Sequence, residues 1–212
     1  KTTGSVVQMI SQNQLQSIEI PFPKDINKLK PQLDKLYKLH QQIMSDTDAI
    51  PEKENKICDI ISKATEEGKK GVDYEEYKFD DFCEYQKKNK KYKAADGRNN
   101  GKYKFYTSSQ DKIMFIDDEP MFTDECLIMG RNGDASIHYD KMFSCEHDHV
   151  YVIKTKNTRY MYYYVKNHMK WFEEQMNGST IRGTSKDILS KFNIKYLTEK
   201  QMKKLKLQEL FD

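Results

Sequence analysis

The sequence predicts an α+β protein, in which a mixed α/β domain with a mainly antiparallel sheet follows a long helical, coiled-coil segment. The first observation is an apolar heptad pattern between residues 26 and 43. The second is that residues 72–195 hold most of the glycines and nearly all the short β-like runs. The third is a segment near the start of the chain that recurs near its end. With 212 residues, the chain is long enough for one large domain and a helical extension.

The recurring segment covers residues 4–20 and 178–194, which align without a gap. The matched pairs are Gly4 with Gly178, Ser5 with Ser179, Ser11 with Ser185, Leu15 with Leu189 and Ile20 with Ile194. Such a repeat indicates that the chain is one period of a larger pattern. Because the chain begins at Lys1, within the first copy and without Met, we expect residues to be missing upstream.

Composition and charge limit the classes of function. Hydrophobic residues make up 37% of the chain and charged residues 33%, which favours a soluble, cytoplasmic protein. We find neither an apolar run of about 18 residues nor a signal peptide, so no membrane partner is expected. The net charge of +3 permits an anionic partner without requiring one. Four scattered cysteines indicate reduced, mostly buried thiols.

Residues 1–23 are interpreted as the end of a preceding domain, closed by Pro21 and Pro23. Residues 24–70 form the predicted helical segment, which begins with a heptad pattern. Its a and d positions are Ile26, Leu29, Leu33, Leu36, His40 and Ile43. This alternation of three and four residues predicts the interface of a coiled coil. Pro31 lies within the pattern, so the helix either starts near it or has a kinked first turn.

We expect residues 46–51 to break this helix, and Pro51 to take the first position of a second helix that runs to about residue 67. The apolar face of that second helix consists of Ile57, Ile60, Ile61 and Ala64. Gly68 and Gly71 follow it and place the domain boundary near residue 70.

Residues 71–197 form the predicted main domain. Its candidate strands are residues 103–106, 113–116, 125–129, 135–139 and 150–154. A helix is predicted over residues 159–175, ahead of the second repeat copy. Residues 198–212 carry Met202, Leu205 and Leu210 at helical spacing, which predicts the start of a further helix.

The sequence offers no convincing catalytic centre. We find no Ser-His-Asp signature and no P-loop, and the Gly-rich turn at residues 130–133 lacks the Lys-Ser/Thr pair of a phosphate-binding loop. Cys145, His147 and His149 share one face if their segment is extended. A zinc site also needs a fourth ligand and paired short spacings, which are not evident. We therefore predict no catalytic residues and no metal site.

Three polar loops make a better case for a binding surface. Residues 96–102, 107–110 and 130–134 carry Arg, Asn, Gln and Ser, the side chains that pair with purine edges and phosphates. The alternative is that their Asn-Gly and Asp-Gly pairs are only hairpin turns. The basic run at residues 87–93 is likewise either a solvated face or a patch that attracts phosphates.

Five motifs in a fixed order resemble the specificity (S) subunit of type I restriction-modification systems. They are YKFDDFC at 77–83, GKYKFY at 101–106, CLIMGRNG at 126–133, YMYYYV at 160–165, and GSTI at 178–181 continuing to Asn193 and Ile194. The resemblance makes residues 72–195 a target recognition domain and residues 24–70 the helical spacer. The prolines of the family's Ile-Pro-Leu-Pro segment are kept at Pro21 and Pro23 and are absent from residues 194–197. The predicted second helix after Pro51 also departs from the family's single spacer helix.

This resemblance implies a DNA-recognition module without catalysis and without a bound cofactor of its own. Two recognition domains would each bind half of a split double-stranded site, held apart by helical spacers. An adenine methyltransferase subunit would use S-adenosylmethionine, and complete systems add a restriction subunit; self-association through the spacers is also implied. The candidate DNA contacts are Arg98, Asn99, Lys102, Ser108, Gln110, Arg131, Asn132, His138, Ser179, Thr180 and Arg182.

Two other interpretations stay open. The chain could be the recognition end of a fused restriction or methyltransferase enzyme, whose catalytic part would precede Lys1. It could instead be an orphan structural relative that has lost specific DNA binding, which the modest charge of +3 favours.

Overall fold

The structure, a computed structural model, describes residues 26–66, 70–176 and 182–211. Ile50–Asp212 form one compact unit, and the helical residues that precede Ile50 belong to another. The first repeat copy, residues 4–20, lies outside the described residues, as do the proposed end of a preceding domain and the sites Ser179 and Thr180.

The helices are α1 Ile26–Thr65, α2 Phe79–Phe82, α3 Thr158–Asn167, α4 Met169–Met176, α5 Lys186–Ser190, α6 Glu199–Lys204 and α7 Leu207–Phe211. The strands are β1 Tyr74–Lys78, β2 Cys83–Tyr85, β3 Tyr103–Tyr106, β4 Met114–Ile116, β5 Cys126–Gly130, β6 Ile137–Asp140, β7 Ser144–Cys145, β8 Val150–Thr155 and β9 Asn193–Leu197. All five predicted strands are therefore present, with ends shifted by one or two residues. The sequence did not predict β1, β2, β7 and β9.

The strands form three small sheets that are mainly antiparallel, as predicted. A four-stranded sheet has the order β2-β8-β5-β6, and a three-stranded sheet has the order β4-β3-β7. Strands β1 and β9 form a separate antiparallel pair that joins the start of the domain to its end. The pairing of β3 with β7 is parallel. The α+β class predicted from the sequence is confirmed.

The four-stranded sheet is buried on both faces because alternate residues of its central strands enter two different cores. Leu127 of β5 and Ile153 of β8 belong to the larger core. Ile128 and Val152 point the other way, into the smaller core that includes Phe143. A sheet covered on both sides is a rigid support for the loops at its ends.

Helix α1 enters the larger core with its last turns. Ile57 and Ile61 are 0% exposed. Asn167 of α3 donates from Nδ2 to the carbonyl of Cys58 at 2.8 Å, and the Lys166 ammonium lies 2.6 Å from the Glu54 carboxylate. These contacts make the end of the predicted spacer part of the compact unit.

The predicted break at residues 46–51 is wrong, because α1 continues through Pro51. A proline inside a helix removes one hydrogen bond and crowds the preceding turn, at a cost of about 3 kcal/mol. Core packing by Ile57, Ile61 and Ala64 offsets that cost on the far side of the proline. The chain thus has the single long helix that the resemblance implied.

The predicted helix over residues 159–175 is two helices, α3 and α4. His168 ends α3 because its ring nitrogen Nδ1 bonds the carbonyl of Tyr164 at 2.7 Å. That carbonyl is the acceptor that the backbone N–H of His168 would use in a continuing helix, and the N–H bonds Val165 instead. The C-terminal helix is likewise divided, at Lys206, whose φ is +54°.

The heptad face of α1 is exposed where the structure describes it. Leu36 is 61% and Ile43 53% exposed, and His40 is also exposed. The side chains of Ile26, Leu29 and Leu33 lie outside the described residues. A coiled coil needs a second long helix, and the other helices in the described part of the chain have at most 10 residues. The predicted coiled coil is therefore not formed within this part of the chain.

The second repeat copy is a short helix followed by an edge strand. The Ser185 hydroxyl accepts from the backbone N–H of Ile188 at 3.2 Å and begins α5. Leu189 and Ile194 are 0% exposed, and Ile194 pairs with Tyr77 of β1. The matched positions of the second copy that the structure describes, Ser185, Leu189 and Ile194, are thus a helix cap and two core residues.

The four cysteines are free thiols, three of them buried, as the sequence predicts. Burial raises the pKa of the Cys83 and Cys145 thiols to about 12, which keeps both protonated and unreactive at neutral pH. Within the described ranges, no helix has the length and apolarity needed to cross a membrane.

Candidate nucleic-acid interface

Loops from distant parts of the chain meet at one end of the four-stranded sheet. The backbone N–H of Arg131, in the turn between β5 and β6, donates to the carbonyl of His149 at 2.8 Å. In the same turn the N–H of Gly133 donates to the carbonyl of Arg182 at 3.0 Å. We call residues 107–112, 131–136, 146–149 and 182–185 the loop cluster.

Close backbone contacts hold the loop cluster together. The Ser136 hydroxyl donates to the carbonyl of Ser108 at 2.9 Å, and the Ser108 hydroxyl donates to the carbonyl of His149. A Cβ atom at Gly183 would lie 2.0 Å from the Arg131 carbonyl oxygen, so only glycine permits this approach. The loop cluster is therefore a built surface rather than a set of independent turns.

Two predicted contacts, Gln110 and His138, bind other parts of the protein. The Gln110 Oε1 accepts from the backbone N–H of Ile137 at 2.8 Å. The His138 Nε2 bonds the carbonyl of Ser109 at 3.1 Å, and its ring lies 5.1 Å from that of Tyr106. Burial lowers the pKa of His138, so the ring is neutral at pH 7 and Nε2 carries the donated proton. Both side chains hold the loop after β3 against the hairpin that β5 and β6 form.

Arg131 is exposed but fixed in direction. Its guanidinium donates to the carbonyl of Asp148 at 2.6 Å. The central carbon of the same group lies 4.8 Å from the centre of the Tyr151 ring. A cation above an aromatic face is stabilised by about 0.5–2 kcal/mol, so this side chain is already ordered before any ligand arrives.

Lys186 lies on the ring of Tyr85, as Arg131 lies on the ring of Tyr151. Its ammonium lies 4.3 Å from the centre of the Tyr85 ring. Tyr85 and Tyr151 are in edge contact at 5.4 Å, because β2 and β8 are paired and place both rings on one face of the sheet. Two cations are thus held on two adjoining rings.

Lys88 lies beside these cations and is held by main-chain oxygens. Its ammonium donates to the carbonyls of Glu146, His147 and Val150, the first at 2.9 Å. Burial lowers the pKa of Lys88, and the nearby Arg131 adds to that effect. The ammonium therefore ties the irregular segment that follows β2 to residues 146–150, the segment that contacts Arg131.

Together these side chains line a cleft of about 230 Å³, which we call the tyrosine cleft. Its lining includes Tyr85, Tyr151, Lys88, Arg131, His147 and Lys186. The aromatic floor and cationic rim give the cleft a positive potential, which suits an anionic ligand.

The remaining predicted cations are paired with carboxylates. The Arg98 guanidinium lies 3.3 Å from Asp117, and the Lys102 ammonium lies 3.7 Å from Glu119. Both residues lie in the segment that leads into β3, where Arg98 forms an isolated bridge with Phe115 of β4. Within the loop cluster, Arg182 lies 3.0 Å from Asp134. An ion pair lowers the net charge that each site offers to a phosphate.

The remaining candidate DNA contacts are either exposed or outside the described residues. Asn99 and Asn132 are exposed in turns, and Ser179 and Thr180 lie outside the described residues.

The three side chains considered for a metal do not converge: Cys145 is buried, whereas the His147 and His149 rings bond Asp148 at 2.7 Å and Glu146 at 2.8 Å, respectively. Among the described residues, no group of at least three His, Cys, Asp or Glu side chains could hold a metal ion.

The sequence alone does not single out Lys186, Tyr85 and Tyr151. The nearest signals were the basic run that contains Lys88 and the repeat position Ser185, which precedes Lys186. The two tyrosines come from strands far apart in the chain. Their contact depends on the pairing of β2 with β8.

Comparisons with known proteins agree with the fold and with the resemblance. The chain is similar to the S subunit of the type I restriction-modification system from M. genitalium, with 19% identity and a TM-score of 0.53 over 88% of this chain and 52% of that one. At this identity the likeness is one of fold. The chain thus spans about half the length of that relative.

Two further solved structures are more distant. The HsdS subunit from Thermoanaerobacter tengcongensis has 10% identity and a TM-score of 0.46, over 100% of this chain and 57% of that one. A chain from a structural study of assembly and conformational transition of the type I R-M system has 12% identity and a TM-score of 0.46, over 91% and 54%. No curated protein matches.

The family model for the type I restriction modification DNA specificity domain matches residues 71–211. This range contains all the strands, the loop cluster and the tyrosine cleft. The chain therefore belongs to the family of type I restriction modification DNA specificity domains.

Proposed function

We propose that this chain recognises one half of a split double-stranded DNA sequence, as the specificity subunit or half-subunit of a restriction-modification methyltransferase complex. The observation that carries the proposal is the family match over residues 71–211. The loop cluster supports it, because polar and cationic side chains from separate loops are gathered on a rigid sheet end. Such a surface provides groups that contact phosphates and base edges.

In this proposal the chain is not an enzyme and binds no cofactor. The chemistry belongs to an adenine methyltransferase subunit, which uses S-adenosylmethionine and flips its target base. A restriction subunit completes the assembly in full systems. A cytoplasmic location follows from the need to meet DNA and these partners.

Helix α1 would supply the spacer of that assembly. Its exposed residues Leu36 and Ile43 favour pairing with a helix outside the described residues, either from a partner or from a second copy of the chain. A stiff helix pair adds about 1.5 Å of separation per residue, which would set the distance between two half-sites. By role the proposed division is 1–23, 24–70, 71–197 and 198–212, and the last turns of the spacer also pack into the larger core.

The methylome of the source organism tests this function. Deleting the gene is expected to remove N6-methyladenine from one split sequence, and reintroducing the gene is expected to restore it. An unchanged methylome would overturn the proposal. If the methylation is lost and the upstream reading frame encodes a catalytic domain, the fused-enzyme alternative is favoured instead.

A further inference from the structure

We propose that the tyrosine cleft binds one phosphate group of the DNA backbone through Arg131 and Lys186, and so positions the duplex without selecting bases. This inference rests on the proposed function and assigns a role within it. It narrows the expectation that Arg131 contacts DNA to a contact with a phosphate.

The charges around the cleft support an anionic ligand. In the described part of the chain, Arg131 and Lys186 each lie on a tyrosine ring, and neither has a carboxylate within ion-pair distance. The Asp148 carboxylate bonds His147 at 2.7 Å, and Arg131 contacts only the Asp148 carbonyl. The rim of the cleft therefore keeps its positive charge, unlike the carboxylate-paired Arg98, Lys102 and Arg182.

The geometry favours a phosphate over a base. An arginine that recognises guanine presents two parallel N–H groups to the base edge. The Arg131 guanidinium already uses one terminal nitrogen on the Asp148 carbonyl, and its central carbon lies 4.8 Å from the centre of the Tyr151 ring. Lys186 is a point charge with freely rotating donors, which suits a phosphate oxygen rather than a two-point base contact.

The cleft is also large enough to hold a single phosphate group. A water molecule takes about 30 Å³ of liquid volume, so the cleft of about 230 Å³ has the volume of several waters. A phosphate with a few bridging waters fits that space, and such waters are common at protein–DNA contacts.

Lys88 acts as a positioning residue. Its ammonium bonds the carbonyls of Glu146, His147 and Val150, so its donors are used within the protein. Those carbonyls flank Asp148, whose own carbonyl orients the Arg131 side chain. Lys88 thus fixes the direction of Arg131 and contributes positive charge without a direct contact.

The test compares salt dependence in the complete complex with its methyltransferase subunit. Two fluorescent duplexes are used, one with the sequence identified from the methylome and one with that sequence scrambled. Lys186→Gln and Arg131→Gln are each expected to weaken binding of both duplexes by the same factor. Each is also expected to reduce the slope of log affinity against log salt, and the double variant is expected to reduce it by about 0.9, the contribution of one phosphate contact.

Two further variants serve as controls. Lys191→Gln removes a cation that directly follows the same short helix and is paired with Asp187 at 2.8 Å, so the slope should not change. Lys186→Arg keeps the charge and should retain the parent slope, which separates loss of charge from a folding defect.

The results also distinguish the inference from the function. If Lys186→Gln and Arg131→Gln bind both duplexes like the parent, the phosphate site is wrong. It is also wrong if either variant weakens only the matched duplex with no change in slope, which would indicate base selection. If the parent complex binds neither duplex in a salt-dependent manner, the proposed function itself fails.

Discussion

At the residue scale, side chains of the same type differ in the charge that they offer to a ligand, because carboxylates pair with some of them and not with others. Arg98 and Arg131 both sit in polar turns, and the sequence does not rank them. In the folded chain Asp117 comes within 3.3 Å of Arg98, whereas Arg131 lies on the Tyr151 ring. The composition of a turn does not show whether a carboxylate from a distant part of the chain will pair with its cation. The sequence could therefore list the candidate DNA contacts, but it could not rank them by the charge that they offer to a phosphate.

His138 gives a prediction at this scale. Its pKa is lowered below the ordinary 6.5 because burial disfavours the charged ring. Between the folded pKa and 6.5 the unfolded chain binds a proton and the folded chain does not, so stability falls as the pH drops through this window. His138→Gln keeps a donor for the Ser109 carbonyl and does not titrate.

Urea unfolding at pH 7.5 and pH 5 provides the measurement. The parent should lose more stability than His138→Gln between these two values. Equal losses would mean that the ring does not contribute to the acid sensitivity of the domain.

At the element scale, helix α1 has two parts with different roles. Its last turns carry Ile57 and Ile61, which are 0% exposed, whereas Leu36 is 61% exposed. The apolar spacing predicted both faces from the sequence. The spacing did not distinguish the face that packs on its own domain from the face that would pair with another helix, because both have the same periodicity.

Substitutions in the two parts should therefore act differently. Ile61→Ala should destabilise the domain by about 2–5 kcal/mol, because it leaves a cavity in the core. Leu36→Asp should leave domain stability within about 0.5 kcal/mol and abolish association through the helix. Urea unfolding measures the first effect, and size-exclusion chromatography with light scattering measures the second.

The exposed Lys38→Gln on α1 is the control for Leu36→Asp and should change neither property. A large loss of domain stability in Leu36→Asp would contradict the assignment of this face to association.

At the scale of the whole molecule, the position of the domain boundary has consequences. The sequence placed it near residue 70, where glycines follow the predicted helix. In the structure Ile50–Asp212 form one compact unit, and Ile57, Ile61 and Ala64 lie in its larger core. A boundary chosen from glycine positions would cut through that core.

Two fragments test this boundary. Residues 50–212 should unfold cooperatively with a midpoint close to that of the full chain, because the core residues of both clusters are retained. Residues 71–212 should unfold at a clearly lower temperature, since removal of three core side chains exposes apolar surface. Circular dichroism during heating gives both midpoints. Equal midpoints would restore the boundary near residue 70.

The sequence by itself determined the α+β class, the two apolar faces of the segment that forms α1, five of the strands and the five motifs of the family. These features are local, because periodicity and turn residues act over a few neighbours. Only the tertiary structure decided the continuation of α1 through Pro51, the pairing of β1 with β9, and the tyrosine cleft. Each depends on contacts between distant residues, such as Tyr85 with Tyr151, and their physical cause is core packing and strand pairing rather than local preference.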